Sequence, residues 1–327
     1  MCKNVYVAEA KPTLLIVGPA RPLVIEALES AFHIHLVPDA MDTGVPATIP
    51  VDEVQAIAVL DSGRRIDAKF LHRFPKLKIV SVFGVGYEHV DAKWAGERGI
   101  SVTNTPQVLD EEVADTALGL LLCTVRKLPQ AMRYLQEGKW QQAPFPLSEA
   151  TLRGRAVGLV GMGRIGQAIA RRLEAFAVPV TYHSRQPNAA VAYKYYPRLI
   201  DMARDVDVLL VIVPGGSATR NLINAEVLEA LGRSGILINV ARGSVVDEAA
   251  LIAALRDKTI LSAGLDVFVN EPFVPSELLG MENVVLLPHV GSASVHTRAA
   301  MDELVVNNLM SWASGTGPLT PVAETPT

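Results

Sequence analysis

Three side chains of complementary chemistry stand at the ends of apolar runs in the second half of this sequence. Arg242 follows Ile238-Asn239-Val240-Ala241, Glu271 lies in Asp266-Val267-Phe268-Val269-Asn270-Glu271-Pro272, and His289 follows Val284-Val285-Leu286-Leu287-Pro288. If these runs are strands, the three residues occupy the C-terminal strand ends where open α/β sheets place their ligand crevice. An arginine, a carboxylate and an imidazole form a sufficient set for reducing a ketone beside a carboxylate. The guanidinium binds the anionic end, the imidazole supplies a proton, and the carboxylate orients the imidazole and favours its charged form. Taken singly, each has a plainer role, as a turn cap, a solvated acid or a structural histidine; their joint placement is what points to catalysis.

Such a reduction needs a hydride donor, and a nucleotide-binding turn is present. The apolar run Val157-Gly158-Leu159-Val160 enters Gly161-Met162-Gly163-Arg164-Ile165-Gly166 and then a helix expected from Gln167 to Phe176. In this pattern Gly161 permits the tight turn, Gly163 lets backbone approach a pyrophosphate, and Gly166 allows helix and strand to pack closely, while the helix N-terminus offers N–H donors to phosphate. A second strand-like run, Val178 to Tyr182, arrives after the helix, so the ribose-reading position falls at residues 183–185. The sequence there, Tyr182-His183-Ser184-Arg185-Gln186-Pro187, holds no carboxylate to repel a 2′-phosphate. Arg185 supplies a planar fork and Ser184 a hydroxyl suited to that phosphate, so NADP(H) is expected in preference to NAD(H). An ordinary solvated arginine is the alternative.

These groups need a scaffold, and 327 residues, half of them hydrophobic, give material for two cores. Short apolar runs at Leu14-Val17, Ile57-Leu60, Ile79-Val82 and Ile100-Val102 precede the glycine turn. A second series follows at Val157-Val160, Val178-Tyr182, Val208-Val213, Ile236-Val240, Leu261-Val267 and Val284-Leu287. Continuous apolar strands alternating with helices predict an α/β chain of two doubly wound Rossmann-like domains with parallel sheets and the active site in the interdomain cleft. A helix from Asp110 to about Lys127 opens with the acids Asp110-Glu111-Glu112, and a late helix from Ser294 to Ala313 carries Met301, Leu304, Val305 and Leu309. Residues 1–106 with 294–327 are expected to form a discontinuous, flavodoxin-like substrate-binding domain, and 107–293 the NADP-binding Rossmann domain. The segment from Gly315 to Thr327 reads as a loose tail. Two lobes flanking a site also imply hinge closure over bound ligands.

A net charge of −4 without a dense Lys/Arg block argues against nucleic acid and anionic membranes as partners. Apolar runs such as Val208-Val213 and Leu120-Cys123 stop well short of the ~18 residues of a membrane span. Met1-Cys2-Lys3-Asn4-Val5 lacks the apolar core of a signal peptide, and Cys2 and Cys123 are the only cysteines, which fits a reducing cytoplasm. The seven histidines show no ligand-spaced cluster except His33 and His35, which sit on a strand-like segment and read as marking only a surface, so no metal is expected.

The ordered motifs Gly161-Met162-Gly163-Arg164-Ile165-Gly166, Asn239-Val240-Ala241-Arg242-Gly243, Gly264-Leu265-Asp266-Val267-Phe268, Asn270-Glu271-Pro272 and Pro288-His289-Val290-Gly291-Ser292 resemble those of the D-isomer-specific 2-hydroxyacid dehydrogenases. The likeness runs from Leu14 to about Trp312. Through Tyr182 to Pro187 and Val213-Pro214-Gly215-Gly216 it is strongest to NADPH-preferring glyoxylate/hydroxypyruvate reductases and their hydroxyphenylpyruvate-reducing relatives. The resemblance implies catalytic roles for Arg242, Glu271 and His289. It implies cofactor contacts at Thr116, Arg164, Ile165, Pro214, Thr219, Val240, Asp266, His289 and Ser292, besides the glycine turn and residues 183–185, with Asp266 facing the nicotinamide carboxamide. Substrate contacts are implied at Leu60, Val85, Gly86, Trp140 and Arg242. Gly84 and Gly86 flank Val85 at a strand end, which by itself suggests backbone N–H groups converging on a carboxylate. A homodimer through the region from Asp110 to Trp140 is also implied.

Two departures concern the cofactor: His183 stands where NAD-specific relatives carry Asp, and Gly215-Gly216 replaces their usual Pro-Leu-Thr type loop. The expected reaction is hydride transfer from nicotinamide to C2 of a small 2-oxo acid such as glyoxylate or hydroxypyruvate, with His289 as the proton donor. Arylpyruvates and 2-ketogluconate share the group read, and Leu60, Asp61, Ser62, Trp140 or a neighbouring subunit would form the discriminating wall. A cofactor-sensing, corepressor-like binding protein is the alternative from another class; an NAD-dependent formate or phosphite dehydrogenase is disfavoured by Ser184-Arg185.

Overall fold

The computed structural model describes residues 11–37, 45–61, 63 and 65–325. Cys2, Ser62 and the N-terminal segment Met1 to Val5 lie outside them. The chain divides into two compact units, one drawn from the residues up to Val108 together with those from Ser294 onward, the other running from Leu109 to Ala293.

In the first unit β1 (Thr13–Val17), β2 (His33–Val37), β3 (Val54–Val59), β4 (Ile79–Val82) and β5 (Ser101–Thr103) form one parallel sheet in the order β2-β1-β3-β4-β5. All residues of β1 and β4 are buried, as expected for strands covered on both faces. The helix Val295–Ala313 packs on β4 and on the helix Pro22–Leu28, burying Met301, Val305 and Leu309 at four-residue spacing. Ser294 caps it by accepting the Thr297 N–H at 3.1 Å. Strand order reverses between β1 and β3, and β4 leads directly into Phe83-Gly84-Val85-Gly86-Tyr87.

One feature agrees with expectation here and one departs from it. The segment with His33 and His35 is a full edge strand, β2; His33 and Leu36 are exposed, so its composition lacks the apolar run that marks a central strand. The tail is not loose as far as Thr325. Val322 donates its N–H to the Val102 carbonyl at 2.9 Å, and the Thr325 hydroxyl both accepts from Val102 N–H at 2.8 Å and donates to Val102 O at 2.9 Å. Pro321 bridges Thr103, and Val322 and Thr325 are buried. An edge strand presents unpaired backbone groups, and the tail satisfies those of β5; composition alone does not reveal such a long-range partner.

The second unit holds seven parallel strands: β6 (Val157–Val160), β7 (Val180–His183), β8 (Lys194–Tyr196), β9 (Val208–Val211), β10 (Ile236–Asn239), β11 (Ser262–Leu265) and β12 (Val284–Leu286). Their order is β12-β11-β10-β9-β6-β7-β8, with reversal between β6 and β9. Period-2 alternation splits each central strand between two cores: Leu209, Val211 and Leu237 pack with the helices Leu199–Asp205, Ala225–Leu231 and Glu248–Arg256. Val208, Leu210, Ile236 and Ile238 pack with Asp110–Arg126 and Arg164–Glu174 on the other face. The edge strand β8, Lys194-Tyr195-Tyr196, has no apolar run and was not expected.

The helix after the glycine turn begins at Arg164, three residues before the expected Gln167, because Gly163 is itself the N-cap. It lies along Asp110–Arg126. The acids of that helix do more than suit its dipole: Arg172 pairs with Glu111 at 2.7 Å and Asp115 at 2.6 Å, Arg171 with Glu111 at 2.9 Å, and Arg164 with Asp110 at 3.0 Å. The pairs of Glu111 and Asp115 are largely exposed on the acid side and contribute at most about 1 kcal/mol each, so their effect is alignment more than stability, whereas Asp110 is buried. Among the described residues no helix is long and apolar enough to cross a membrane, and no group of three or more His, Cys, Asp or Glu could hold a metal ion.

Candidate active site

The ends of three adjacent strands are tied to one another by backbone. Asp266 N–H donates to the Asn239 carbonyl at 3.0 Å, and His289 N–H donates to the Asp266 carbonyl at 2.9 Å, so the chains leaving β10, β11 and β12 stay in step. Asn239, fully buried, accepts the Ala241 N–H on Oδ1 and donates Nδ2–H to the Arg242 carbonyl, both at 3.1 Å. That turn delivers Arg242 half-buried, with Nη1 donating to the Ala241 carbonyl at 2.7 Å. Gly243 then lies against the backbone of Phe268 and Val269, where a Cβ would overlap the chain. The absence of a side chain at 243 brings the arginine turn against the loop that carries Glu271.

Glu271 Oε2 is 2.6 Å from His289 Nδ1, and its Oε1 accepts the Phe268 N–H at 3.0 Å. Burial would raise the Glu271 carboxyl, but the imidazole hydrogen bond, the Phe268 N–H and the charges of His289 and Arg242 outweigh it and hold it below the usual carboxylate range. Glu271 is therefore an anion that only accepts, so Nδ1 is the protonated ring nitrogen and Nε2 is left to exchange a proton with a ligand. His289 adopts φ 53°, a conformation to which few side chains are suited. Its turn is held by Asp266, whose carboxylate accepts Val290 N–H at 2.7 Å and Gly291 N–H at 2.9 Å. Burial pushes the Asp266 carboxyl up, against the pull of those two N–H groups and of His289.

The glycine turn separates what the fold requires from what it leaves open. Gly161 has φ 113°, and a Cβ there would sit 2.6 Å from the Ile212 carbonyl oxygen. A Cβ on Gly166 would sit 2.5 Å from the Gly161 carbonyl oxygen. Gly163 is different: nothing lies within 4 Å of its Cβ position, and its φ of −76° suits any residue. The helix it starts has no side-chain cap and no acid in its first turn. An uncapped helix N-terminus beside a cradle kept clear of side chains fits a phosphate.

At the end of β7, Ser184 Oγ donates to Gln186 O at 2.6 Å, while Arg185 is exposed and makes no ion pair among the described residues. The loop after β9 is closed by the Thr219 hydroxyl, which donates to Pro214 O at 2.6 Å. In the first unit, Phe83–Tyr87 is pinned at both sides of Val85. Gly84 N–H donates to Thr105 Oγ1 at 3.0 Å, and Asn104 Nδ2 donates to Val85 O at 2.8 Å. The N–H groups of Val85 and Gly86 have no acceptor among the described residues.

This geometry has close counterparts. Residues 118–291 match the model of the D-isomer specific 2-hydroxyacid dehydrogenase NAD-binding domain. The chain is 50% identical over 256 residues to glyoxylate/hydroxypyruvate reductase A of Arabidopsis thaliana, covering 78% of this chain and 82% of that one. The chain belongs to the D-isomer-specific 2-hydroxyacid dehydrogenase family. It is also 44% identical over 274 residues to the hydroxyphenylpyruvate reductase of Plectranthus scutellarioides, covering 84% and 87% of the two chains. Among solved structures, the NADPH-dependent glyoxylate/hydroxypyruvate reductase of Sinorhizobium meliloti, in complex with NADP and malonate, superposes with a TM-score of 0.92 at 53% identity over 97% of this chain and 98% of that one.

Within this 2-hydroxyacid dehydrogenase the residues singled out from sequence have distinct placements. Arg242, Glu271, His289 and Asp266 meet at neighbouring strand ends. Thr116 Oγ1 lies 3.4 Å from Gly291 O, on the loop that continues to Ser292. Ile165 is half-buried, Val240 and Leu60 are buried, and Trp140 is two-thirds exposed on the short helix Lys139–Gln141. Asn239, Gly243, Asn104 and Thr105 were missed as positioning residues, although Asn239 and Gly243 bracket the arginine motif.

Proposed function

We propose that this chain is an NADPH-dependent reductase of small 2-oxo acids, glyoxylate and hydroxypyruvate foremost, yielding D-2-hydroxy acids. The observation that carries this reading is the His289–Glu271 contact of 2.6 Å, set on a strand end beside that of Arg242. The glycine cradle and uncapped helix fit a dinucleotide pyrophosphate, held at Gly161, Gly163, Arg164, Ile165 and Gly166. Thr116, Pro214, Thr219, Val240, Asp266 and Ser292 line the remainder, and His183, Ser184 and Arg185 take the adenosine end. When bound, NADPH supplies the hydride from nicotinamide C4. Arg242 binds the substrate carboxylate and stabilises the oxygen on which charge develops. His289 Nε2–H gives its proton to that oxygen, and Glu271 stabilises the imidazolium before the transfer. The N–H groups of Val85 and Gly86 are free donors suited to a carboxylate.

Residues 1–106 with 294–327 are assigned to substrate and 107–293 to cofactor. Leu60, Asp61 and Trp140 are the residues assigned to side-chain selection. The 53% identical reductase, solved with NADP and with malonate, supports both ligand classes. We also propose a cytoplasmic homodimer. Leu128, Met132, Leu135, Trp140 and Leu147 are 48–92% exposed on one stretch of chain, more apolar surface than an isolated subunit commonly leaves to water.

Initial rates of NADPH and NADH oxidation with glyoxylate, hydroxypyruvate, phenylpyruvate and 2-ketogluconate test the reaction. Rapid NADPH-selective turnover with the two smaller acids is expected; folded protein that turns over none of them would sink it. Arg185→Ala is expected to weaken NADPH by about 1.5–3 kcal/mol, the loss of a charged hydrogen bond, with NADH little changed. Equal loss for both cofactors, read by fluorescence titration, would remove Arg185 from the site. Gly163→Ala should lower stability by no more than about 1 kcal/mol, the N-cap preference for Gly over Ala, and raise the cofactor Kd by about tenfold or more, because its methyl occupies phosphate space. Gly166→Ala should lower stability by about 1–3 kcal/mol through its overlap with the Gly161 carbonyl. Thermal unfolding beside cofactor titration separates the two, and a destabilised Gly163→Ala that still binds normally would refute the cradle.

A further inference from the structure

The register of β7 and β8 sets Tyr196 beside His183 at the edge of the second sheet. The Tyr196 carbonyl oxygen lies 2.9 Å from His183 Nδ1. A carbonyl oxygen only accepts, so Nδ1 carries a proton, and in the neutral ring the lone pair is on Nε2. Nε2 has no partner among the described residues. The ring is half-buried, and the His183 carbonyl takes the Gly161 N–H at 2.8 Å, which fixes the residue against the first glycine of the dinucleotide turn.

We propose that His183 is a proton-gated selector between the two nicotinamide dinucleotides. With Nδ1 engaged by Tyr196, a neutral ring offers a ligand only an acceptor, which a ribose 2′-hydroxyl can satisfy and a 2′-phosphate cannot. A second proton, on Nε2, turns the same nitrogen into a charged donor that suits the phosphate and leaves the hydroxyl no better off. NADP(H) therefore binds with uptake of a proton at His183, and NAD(H) does not. This rests on the reading of residues 183–185 as the adenosine end of the cofactor site.

The surroundings leave the phosphate as the anion for that charge. On its own loop the charged neighbour is Arg185, exposed and without an ion pair. On β8, Lys194 donates to the Tyr196 hydroxyl at 2.5 Å, that hydroxyl donates to Asp205 at 2.6 Å, and Tyr195 donates to Ser184 O at 3.1 Å. From the helix Leu199–Asp205, Asp201 is paired with Arg198 and Arg204. From Arg164–Glu174, Glu174 accepts from Tyr193, and Arg171 and Arg172 are engaged by Glu111 and Asp115. None of these side chains pairs with the imidazole.

Isothermal titration calorimetry of the whole protein with NADP⁺ and with NAD⁺, from about pH 6 to about pH 8.5 in buffers of different ionisation enthalpy, tests the proposal. The ratio of NADP⁺ to NAD⁺ affinity should fall by about tenfold over that range, with proton uptake for NADP⁺ alone. His183→Asn keeps an amide N–H for the Tyr196 carbonyl but does not titrate, and should abolish both effects. What remains is the ionisation of the phosphate itself near pH 6, which releases protons on binding to cations and has the opposite sign. Imidazole ¹⁵N shifts of the unmodified protein give a second reading, with Nε2 of His183 protonated in the NADP⁺ complex and unprotonated in the NAD⁺ complex at the same pH. An NADP⁺ preference that is constant with pH, or proton uptake that survives His183→Asn, would overturn the proposal and leave the Arg185 reading standing. NADP⁺ bound no more tightly than NAD⁺ at any pH would overturn both.

Discussion

Replacing His289 with asparagine is expected to lower kcat for 2-oxo acid reduction by about 10²–10⁴-fold, the usual contribution of a positioned acid, with a much smaller change in KM. Asparagine can still donate a hydrogen bond to Glu271, so the strand ends keep their arrangement and the proton donor alone is lost. The pH profile of the unmodified protein carries the same information with a definite sign. Reduction consumes the proton on Nε2, so its rate is full while the imidazole is charged and falls as pH rises through deprotonation; oxidation of the hydroxy acid shows the reverse limb.

At the acid end the relevant group is Glu271, held below the usual carboxylate range once burial is outweighed by His289, the Phe268 N–H and Arg242. Its depressed ionisation keeps the pair intact down through the ordinary glutamate value of about 4.3, and the acid limb lies below it. The same shift makes the pair a stabilising element above the unfolded-state value, lost as pH falls through the folded-state value. Single-turnover rates across pH, with and without His289→Asn, decide the matter. A flat reductive profile between about pH 5 and pH 10, with chemistry limiting, would exclude His289 as the acid.

Arg242→Ala carries the second large effect, a fall in kcat/KM of about 10²–10³-fold, because one guanidinium both binds the carboxylate and stabilises the oxygen that gains charge. Arg242→Lys should recover part of the KM and little of the kcat, since an ammonium returns the charge without the planar fork. The two variants should keep the Asn239 hydrogen bonds to the Arg242 carbonyl and the Ala241 N–H, which are made by backbone groups and survive the exchange. Unchanged thermal unfolding beside the kinetic loss would place the effect in the side chain. A KM rise with kcat unaltered in Arg242→Ala would show binding of the acid alone, and would move the charge-stabilising role to another group.

Much of the site was legible because its chemistry is carried by residue types that seldom accumulate at strand ends. Arg242, Glu271 and His289 follow apolar runs bounded by turn residues, the pattern of a buried parallel strand, whereas the run Leu120-Cys123 lies within a helix. The glycine turn was legible for a related reason: only glycine tolerates the φ of Gly161 and the close approach at Gly166. The edge strand β8 was less legible, being half-wet and made of Lys and Tyr. The docking of Val322 and Thr325 on β5 had no local signal, since its partners lie more than two hundred residues away.

By itself, then, the sequence determined the α/β class, the glycine turn, the placement of Arg242, Glu271 and His289 after apolar runs, and the absence of a carboxylate at residues 183–185. Each of these is written in local pattern, in the period of apolar residues or in the presence of one functional group. Tertiary structure alone decided that Asn239 fixes the Arg242 turn, that Gly243 admits the Phe268–Val269 backbone, that Asp266 spends both carboxylate oxygens on the His289 turn, and that Tyr196 settles which nitrogen of His183 is protonated. Those are contacts between strand ends brought together by sheet order and register, and hydrogen bonds between distant segments leave no mark in the spacing of either one.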